Sequence, residues 1–211
     1  MKRGVFITFE GIEGSGKSTQ AQLLVQSLNK RGLNVDLTRE PGGTGVGDRI
    51  RDVLLDASLQ EMHPRTELLL YLASRAEHVA KRIRRKLFDD NAIVISDRYS
   101  LSTLAYQAGG RKLDTKTVAR LSKFATGGLE PDITVLVDLD VETAFKRLER
   151  THDRIEQAGL EFHHRVREAF LDFARRAPAR IRTFDGAKEK MMLHEEIYKQ
   201  ITDFLASKGV L

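Results

Sequence analysis

The residues with the clearest chemistry form one run near the N-terminus: Gly11, Ile12, Glu13, Gly14, Ser15, Gly16, Lys17, Ser18 and Thr19. Glycines at these positions let a backbone curl around phosphate oxygens without side-chain interference. The run sits between the apolar stretch Val5-Phe6-Ile7-Thr8-Phe9 and a helical pattern carrying Ala21, Leu24, Val25 and Leu28. Backbone N–H groups and a helix N-terminus would therefore face the bound anion. In such a loop Lys17 reaches the β- and γ-phosphates and the Ser18 hydroxyl ligates Mg²⁺. ATP as phosphoryl donor and Mg²⁺ as cofactor follow as expectations. A chance glycine-rich turn would lack this strand-to-helix context.

Further groups suit the same chemistry. Asp97 ends the apolar run Ile93-Val94-Ile95, where a carboxylate can hold a water of the metal ion; a turn or N-cap aspartate is the plain alternative. Arg39 and Arg51 flank Gly42-Gly43-Thr44-Gly45, while Arg147, Arg150 and Arg154 lie along and beyond a later helix. Phosphoryl transfer spreads charge over equatorial oxygens, and guanidinium groups stabilise that charge. For the last three arginines, a solvated charge run is an equally open reading.

The elements that must position these groups alternate along the chain. Val5–Phe9, Val35–Thr38, Ala92–Ser96 and Ile133–Leu139 read as strands, with Ile181–Phe184 a weaker fifth. Between them run helical patterns, including a long one opened by Pro64 with Leu68, Leu72, Ala76, Val79, Ile83 and Leu87 on one stripe, and a last one through Leu193, Ile197, Ile201 and Leu205. Near-continuous apolar strands separated by helices predict an α/β fold: a five-stranded parallel sheet with helices on both faces. Ligands bind such sheets at the carboxyl ends of the strands, where each of these motifs falls.

Composition sets the outer bounds. The 211 residues carry 41% hydrophobic and 31% charged side chains, suiting one compact domain, and no linker or repeat divides them. No apolar run approaches the roughly 18 residues that span a membrane, and the start of the chain lacks an apolar signal core, so a cytoplasmic protein with no membrane partner is expected. Cysteine is absent, which excludes disulfides, thiol nucleophiles and Cys-ligated zinc. The net charge of +5 favours polyanions in general. Lys81-Arg82-Ile83-Arg84-Arg85-Lys86 resembles a nucleic-acid patch, but Ile83 lies on the apolar stripe, so a solvated outer face and no nucleic-acid partner are expected. His163-His164 on an amphipathic helix reads as packing or solvated rather than metal-binding.

Phe9-Glu10-Gly11-Ile12-Glu13-Gly14, Thr38-Arg39-Glu40-Pro41-Gly42-Gly43-Thr44, Asp97-Arg98-Tyr99, Leu104-Ala105-Tyr106-Gln107 and Asp153-Arg154-Ile155-Glu156-Gln157 occur in order across the chain. The ordered set resembles the bacterial thymidylate kinases, which phosphorylate dTMP to dTDP with ATP. The resemblance implies the P-loop nucleoside monophosphate kinase fold over residues 1–211, a lid at about 149–159 and a homodimer. It places Glu13 by the deoxyribose 3′-OH and metal-bound waters, and Arg39, Arg51 and Arg98 around the acceptor phosphate. Tyr71 would stack on thymine and Arg75 would donate to its O4; the two are four residues apart and so share a helix face. Thr103 and Gln107 match thymine-edge contacts, and Tyr106 matches the ring that crowds the 2′ position of ribonucleotides. Asp185-Gly186-Ala187 resembles the loop around adenine, with Arg147 stacking on that ring.

One departure bears on mechanism, apart from the minor one that Tyr71 stands where many relatives carry Phe. Gly14 stands where one branch carries a P-loop arginine, and members lacking that residue supply arginine from the lid. Lys17, Arg98 and either Arg150 or Arg154 are thus the catalytic candidates. Another nucleotide or deoxynucleoside kinase is the nearest rival. A nucleotide-dependent switch reading guanine would need Asn-Lys-x-Asp, whereas Asn29-Lys30-Arg31-Gly32 lacks the aspartate.

Overall fold

The computed structural model describes residues 3–148 and 153–211. Five strands, β1 (Phe6–Glu10), β2 (Val35–Arg39), β3 (Ile93–Asp97), β4 (Ile133–Asp138) and β5 (Ile181–Asp185), pair in parallel in the order β2-β3-β1-β4-β5. This is the expected sheet, each strand lying within a residue or so of its sequence pattern. β1 is central and wholly buried, which explains its continuous apolar run. β2 and β5 are edges, so polar residues enter them and β5 reads weakly in sequence.

Side chains alternate across the sheet. Ile7 and Phe9 of β1 face helices α1 (Lys17–Asn29) and α9 (Lys190–Ser207), packing with Leu24, Leu28, Ile197 and Ile201. Phe6, Thr8 and Glu10 face the other way. There Phe6 packs on Val79, Ile83 and Leu87, and the Thr8 and Thr134 hydroxyls bond at 2.8 Å.

The helix opened by Pro64 is interrupted. α3 (Pro64–His78) passes through a π-helical turn at Val79–Ile83 into α4 (Arg84–Phe88). The turn keeps Val79, Ile83 and Leu87 on the core. Two side chains of the basic segment are engaged within the chain: Arg82 clasps Asp36 and the Leu37 carbonyl, and Arg84 donates to the Gly127 carbonyl. A second π-helical stretch, Leu104–Gly110, follows the short α5 (Ser100–Thr103). α2 (Gly45–Leu55) is capped by Thr44, whose Oγ1 accepts from Gly47 N at 3.0 Å. α6 (Thr115–Thr126) is capped by Asp114, and α7 (Val141–Lys146) and α8 (Leu160–Arg176) complete the helices. Among the described residues no helix is long and apolar enough to cross a membrane.

Strand register decides what meets at the carboxyl edge. Phe9 pairs with Asp97 and Arg39 also pairs with Asp97, so the loops after β1, β2 and β3 leave the sheet at one level. Leu24 is fully buried where α1 packs on that sheet. Leu24→Ala should destabilise the fold by about 2–5 kcal/mol, read as a lower urea midpoint with an unchanged slope.

Candidate active site

The loop after β1 turns on glycines in the left-handed region: Gly11 at φ 141°, Gly14 at 74° and Gly16 at 94°. Gly16 caps α1 without a side-chain partner, so the first N–H groups of that helix stay available to an anion. Gly14 is enclosed as well: a Cβ there would stand 2.1 Å from the Ala144 carbonyl of α7. The loop cannot carry an arginine at that position without displacing α7.

Lys17 lies across the loop, its Nζ donating to Ile12 O at 3.2 Å. Burial lowers its pKa, Arg98 adds to the effect, and Asp97 and Glu13 oppose it. The Ser18 hydroxyl donates to Asp97 Oδ2, while Asp97 Oδ1 is buried without a partner. One hydroxyl and one carboxylate with an uncommitted oxygen, beside a phosphate cradle, fit Mg²⁺, which takes few protein ligands and keeps several waters. Among the described residues no three His, Cys, Asp or Glu side chains form a metal cage.

Arg98 follows β3 at φ 73°, outside ordinary strand geometry. Its Nη1 donates to the Gly11 carbonyl (2.9 Å) and Ser102 Oγ (3.0 Å), and its Nη2 to Glu13 Oε1 (2.6 Å). Tyr106 closes the triangle, its hydroxyl donating to Glu13 Oε2 at 2.5 Å. Burial alone would raise the Glu13 pKa, but Arg98, Lys17 and the Tyr106 hydroxyl outweigh it and hold the carboxyl near 2. Glu13 is thus ionised at neutral pH. His163, from the pair in α8, is buried against Phe145 and Phe162, with Nδ1 4.0 Å from Glu13. His164 pairs with Glu142 at the surface.

A second constellation lies deeper. Arg75 is 2% exposed: Nε donates to Glu40 Oε2 (2.6 Å), Nη1 to Thr103 Oγ1 (2.6 Å) and Nη2 to the Tyr99 carbonyl (2.9 Å). His78 supports Glu40 from behind, with Nδ1 2.9 Å from Oε1 and Nε2 2.7 Å from Thr38 Oγ1. Each Nη of Arg75 keeps a second N–H. Tyr71, one turn earlier on α3, lines the same space.

Both constellations open into one cavity of about 680 Å³ lined by Lys17, Ser18, Arg39, Arg51, Tyr71, Arg75, Asp97, Arg98, Thr103, Tyr106 and Gln107 among others. Arg51 Nη1 donates to the Pro41 carbonyl at 3.0 Å; burial and neighbouring Arg39 lower its pKa. The predicted phosphate, metal and base residues are therefore brought together. Arg147 lies apart, at the end of α7, donating to the Gly186 carbonyl at 3.0 Å, so the two adenine-site expectations at least meet each other.

Arg154 is placed differently from the expectation of a phosphate-facing arginine. It is 2% exposed; its Nε donates to the Leu54 carbonyl (2.8 Å) and its Nη1 to Glu67 Oε2 (2.8 Å). The guanidinium is turned to α2 and α3, with Nη2 buried and unpartnered among the described residues, and it does not line the cavity. Arg150, with 149–152 of the lid, lies outside the described residues.

Several site residues were not singled out from sequence: Glu10, Glu40, Glu67, His78, Ser102 and Arg111. The signal for Glu67 existed, since Glu67, Tyr71 and Arg75 recur every four residues on one face of α3. The model of the thymidylate kinase family matches residues 9–197. The chain belongs to the thymidylate kinase family. It is 48% identical over 205 residues to a thymidylate kinase of Carboxydothermus hydrogenoformans, covering 96% of this chain and 97% of that one. A thymidylate kinase of Pelobacter propionicus is 46% identical over 206 residues, with 94% of each chain covered. Among solved structures, the thymidylate kinase of Ehrlichia chaffeensis is similar with a TM-score of 0.78 and 35% identity, over 94% of this chain and 98% of that one. For a thymidylate kinase family member, the sheet and the P-loop nucleoside monophosphate kinase architecture are as expected.

Glu10 gives this site a measurable titration. Its carboxylate accepts from Tyr99 N (2.9 Å) and from Ser102 Oγ, which itself accepts from Arg98. Burial pushes its pKa up to about 7 from 4.5, against the lowering effects of Ser102, Arg98 and Arg75. The native state thus holds a proton that the unfolded chain releases, and Glu10's contribution to stability falls as pH rises through that window. Glu10→Gln mimics the protonated acid. Between pH 5 and 8 the stability of the variant relative to wild type should rise by about 2 kcal/mol; a difference independent of pH in chemical denaturation would contradict this.

Proposed function

We propose that this chain transfers the γ-phosphoryl group of ATP to the phosphate of dTMP, giving ADP and dTDP for dTTP synthesis. The carrying observation is one cavity that holds the phosphate loop of Lys17 at one side and the buried Arg75–Thr103–Gln107 frame beneath Tyr71 at the other. An acceptor nucleotide spans that distance, its base on the deep frame and its phosphate towards the loop.

The loop backbone and Lys17 bind the donor phosphates. Arg39, Arg51 and Arg98 hold the acceptor phosphate, and Tyr71 stacks on the base. Arg75 donates a remaining N–H to thymine O4, where cytosine offers a donor instead. Tyr106, fixed by Glu13, fills the space beside the sugar and disfavours a 2′-hydroxyl. Glu13, ionised and aimed by Arg98, accepts from the 3′-hydroxyl. Ser18 and, through water, Asp97 would hold Mg²⁺, which when bound neutralises charge on the phosphates. The acceptor phosphate is already anionic, so its oxygen attacks without a general base, and catalysis rests on positioning and electrostatics.

Residues 149–159 act as a lid on a single domain. With Gly14 unable to bear a charged side chain and Arg154 engaged by Glu67, Arg150 is the lid arginine that stabilises the transferring group. Arg147 and the Asp185–Ala187 loop flank the adenine. Exposed Leu69 (58%) on α3 and Phe124 (87%) on the adjacent α6 support association of two copies as a homodimer through that helical face. A cytoplasmic location with no nucleic-acid or membrane partner is part of the same proposal.

ADP release measured with a panel of acceptors tests the assignment. The expected order in kcat/KM is dTMP, then dUMP, with dCMP and UMP far behind; equal use of dCMP and dTMP would contradict it. Lys17→Ala should lower kcat roughly 100-fold or more while the protein stays folded. Arg150→Ala should reduce kcat by about 100- to 1,000-fold with little change in dTMP affinity. Arg154→Ala should instead lower thermal stability, and a kcat loss confined to Arg154→Ala would reverse the two roles.

A further inference from the structure

Glu67 is a heavily bonded carboxylate outside the phosphate site, with four donors on it. It is fully buried on α3, one turn before Tyr71. Its Oε1 accepts from Gln107 Nε2 (3.0 Å) and Arg111 Nε (3.1 Å), and its Oε2 accepts from Arg111 Nη2 (2.9 Å) and Arg154 Nη1 (2.8 Å). Four donors use all the acceptor capacity of a carboxylate.

Two consequences follow from chemistry. A carboxylate only accepts, so it orients the Gln107 amide unambiguously: Nε2 is turned to Glu67, and carbonyl Oε1 is left for the cavity that Gln107 lines. An acceptor in that position complements the N3–H of thymine and repels the bare N3 of cytosine. The same carboxylate holds Arg154, whose backbone N–H also donates to the Leu55 carbonyl (3.4 Å), so the lid segment is tied at Arg154 to α2 and α3.

We propose that Glu67 is a positioning residue that sets the Gln107 amide for base selection and ties down the lid segment at Arg154, joining base recognition to lid placement. The inference rests on the reading of this cavity as the dTMP site. It gives α3 three roles at four-residue intervals: anchoring at Glu67, stacking at Tyr71 and O4 recognition at Arg75.

Glu67→Asp keeps the charge that Arg111 and Arg154 need but is one methylene too short to hold all four donors. The ratio of kcat/KM for dTMP over dCMP should narrow at least about fivefold, chiefly through KM for dTMP. A purely structural role would lower Tm and leave that ratio unchanged, and a folded variant with the wild-type ratio overturns the proposal. The wild type is assayed alongside; absence of any dTMP preference there would strike the thymidylate reading, not Glu67. Hydrogen exchange in the wild-type protein gives a second result that needs no Glu67 variant. The Gln107 side-chain amide, assigned by its loss in Gln107→Met, should exchange with water at least about tenfold more slowly than that of exposed Gln26. Equal rates overturn the proposal.

Discussion

The site depends on ion pairs in which a glutamate aims an arginine. A nucleotide site must hold its arginines charged and directed before any ligand arrives. Glu13 directs Arg98 at 2.6 Å, Glu40 directs Arg75 at 2.6 Å and Glu67 directs Arg154 at 2.8 Å. The last two pairs are almost wholly buried. Such pairs add little net stability, because desolvation offsets their attraction, but losing one partner leaves a stranded charge and costs about 3–5 kcal/mol. Their value lies in direction. Long, flexible arginines become fixed donors, and the reorganisation needed on binding is small.

The sheet makes those pairs possible. β1 and β3 are neighbours in register, so Arg98 N bonds the Phe9 carbonyl and the guanidinium reaches back under the loop to Gly11. β2 ends beside them, and Glu40 N bonds the Asp97 carbonyl, which brings Glu40 over α3. A slip of one residue would turn the strand side chains to the wrong faces and part these partners. Arg98's left-handed backbone at φ 73° is retained because its guanidinium, its N–H and its neighbour Tyr99 are all bonded.

Much of this was legible in the residues. The glycine run could be assigned because only a phosphate-cradling backbone needs Gly11, Gly14 and Gly16 between a strand and a helix. Strand order was not written there. The π-helical turn at Val79–Ile83 escaped notice because Leu72, Val79, Ile83 and Leu87 satisfy either winding. Arg154 and Arg150 could not be separated, since what distinguishes Arg154 is a carboxylate 87 residues away in sequence. Carboxylates that aim arginines are hard to see in general: their partners are set by tertiary packing, and only the four-residue spacing of Glu67, Tyr71 and Arg75 carried a local signal.

The central claim is that direction outweighs net charge at the acceptor phosphate. Calorimetric titration of dTMP and of thymidine, which lacks only the phosphate, into wild type and Glu13→Gln tests it directly. Both ligands carry the 3′-hydroxyl, so their affinity ratio isolates the phosphate. Removing the Glu13 charge makes the site more positive while leaving Arg98 without its ion-pair partner, held only through the Gly11 carbonyl, Ser102 and Tyr106. The account predicts that the dTMP-to-thymidine affinity ratio falls at least about fivefold in the variant. A ratio that holds or rises would show that net charge governs phosphate binding, and would contradict it.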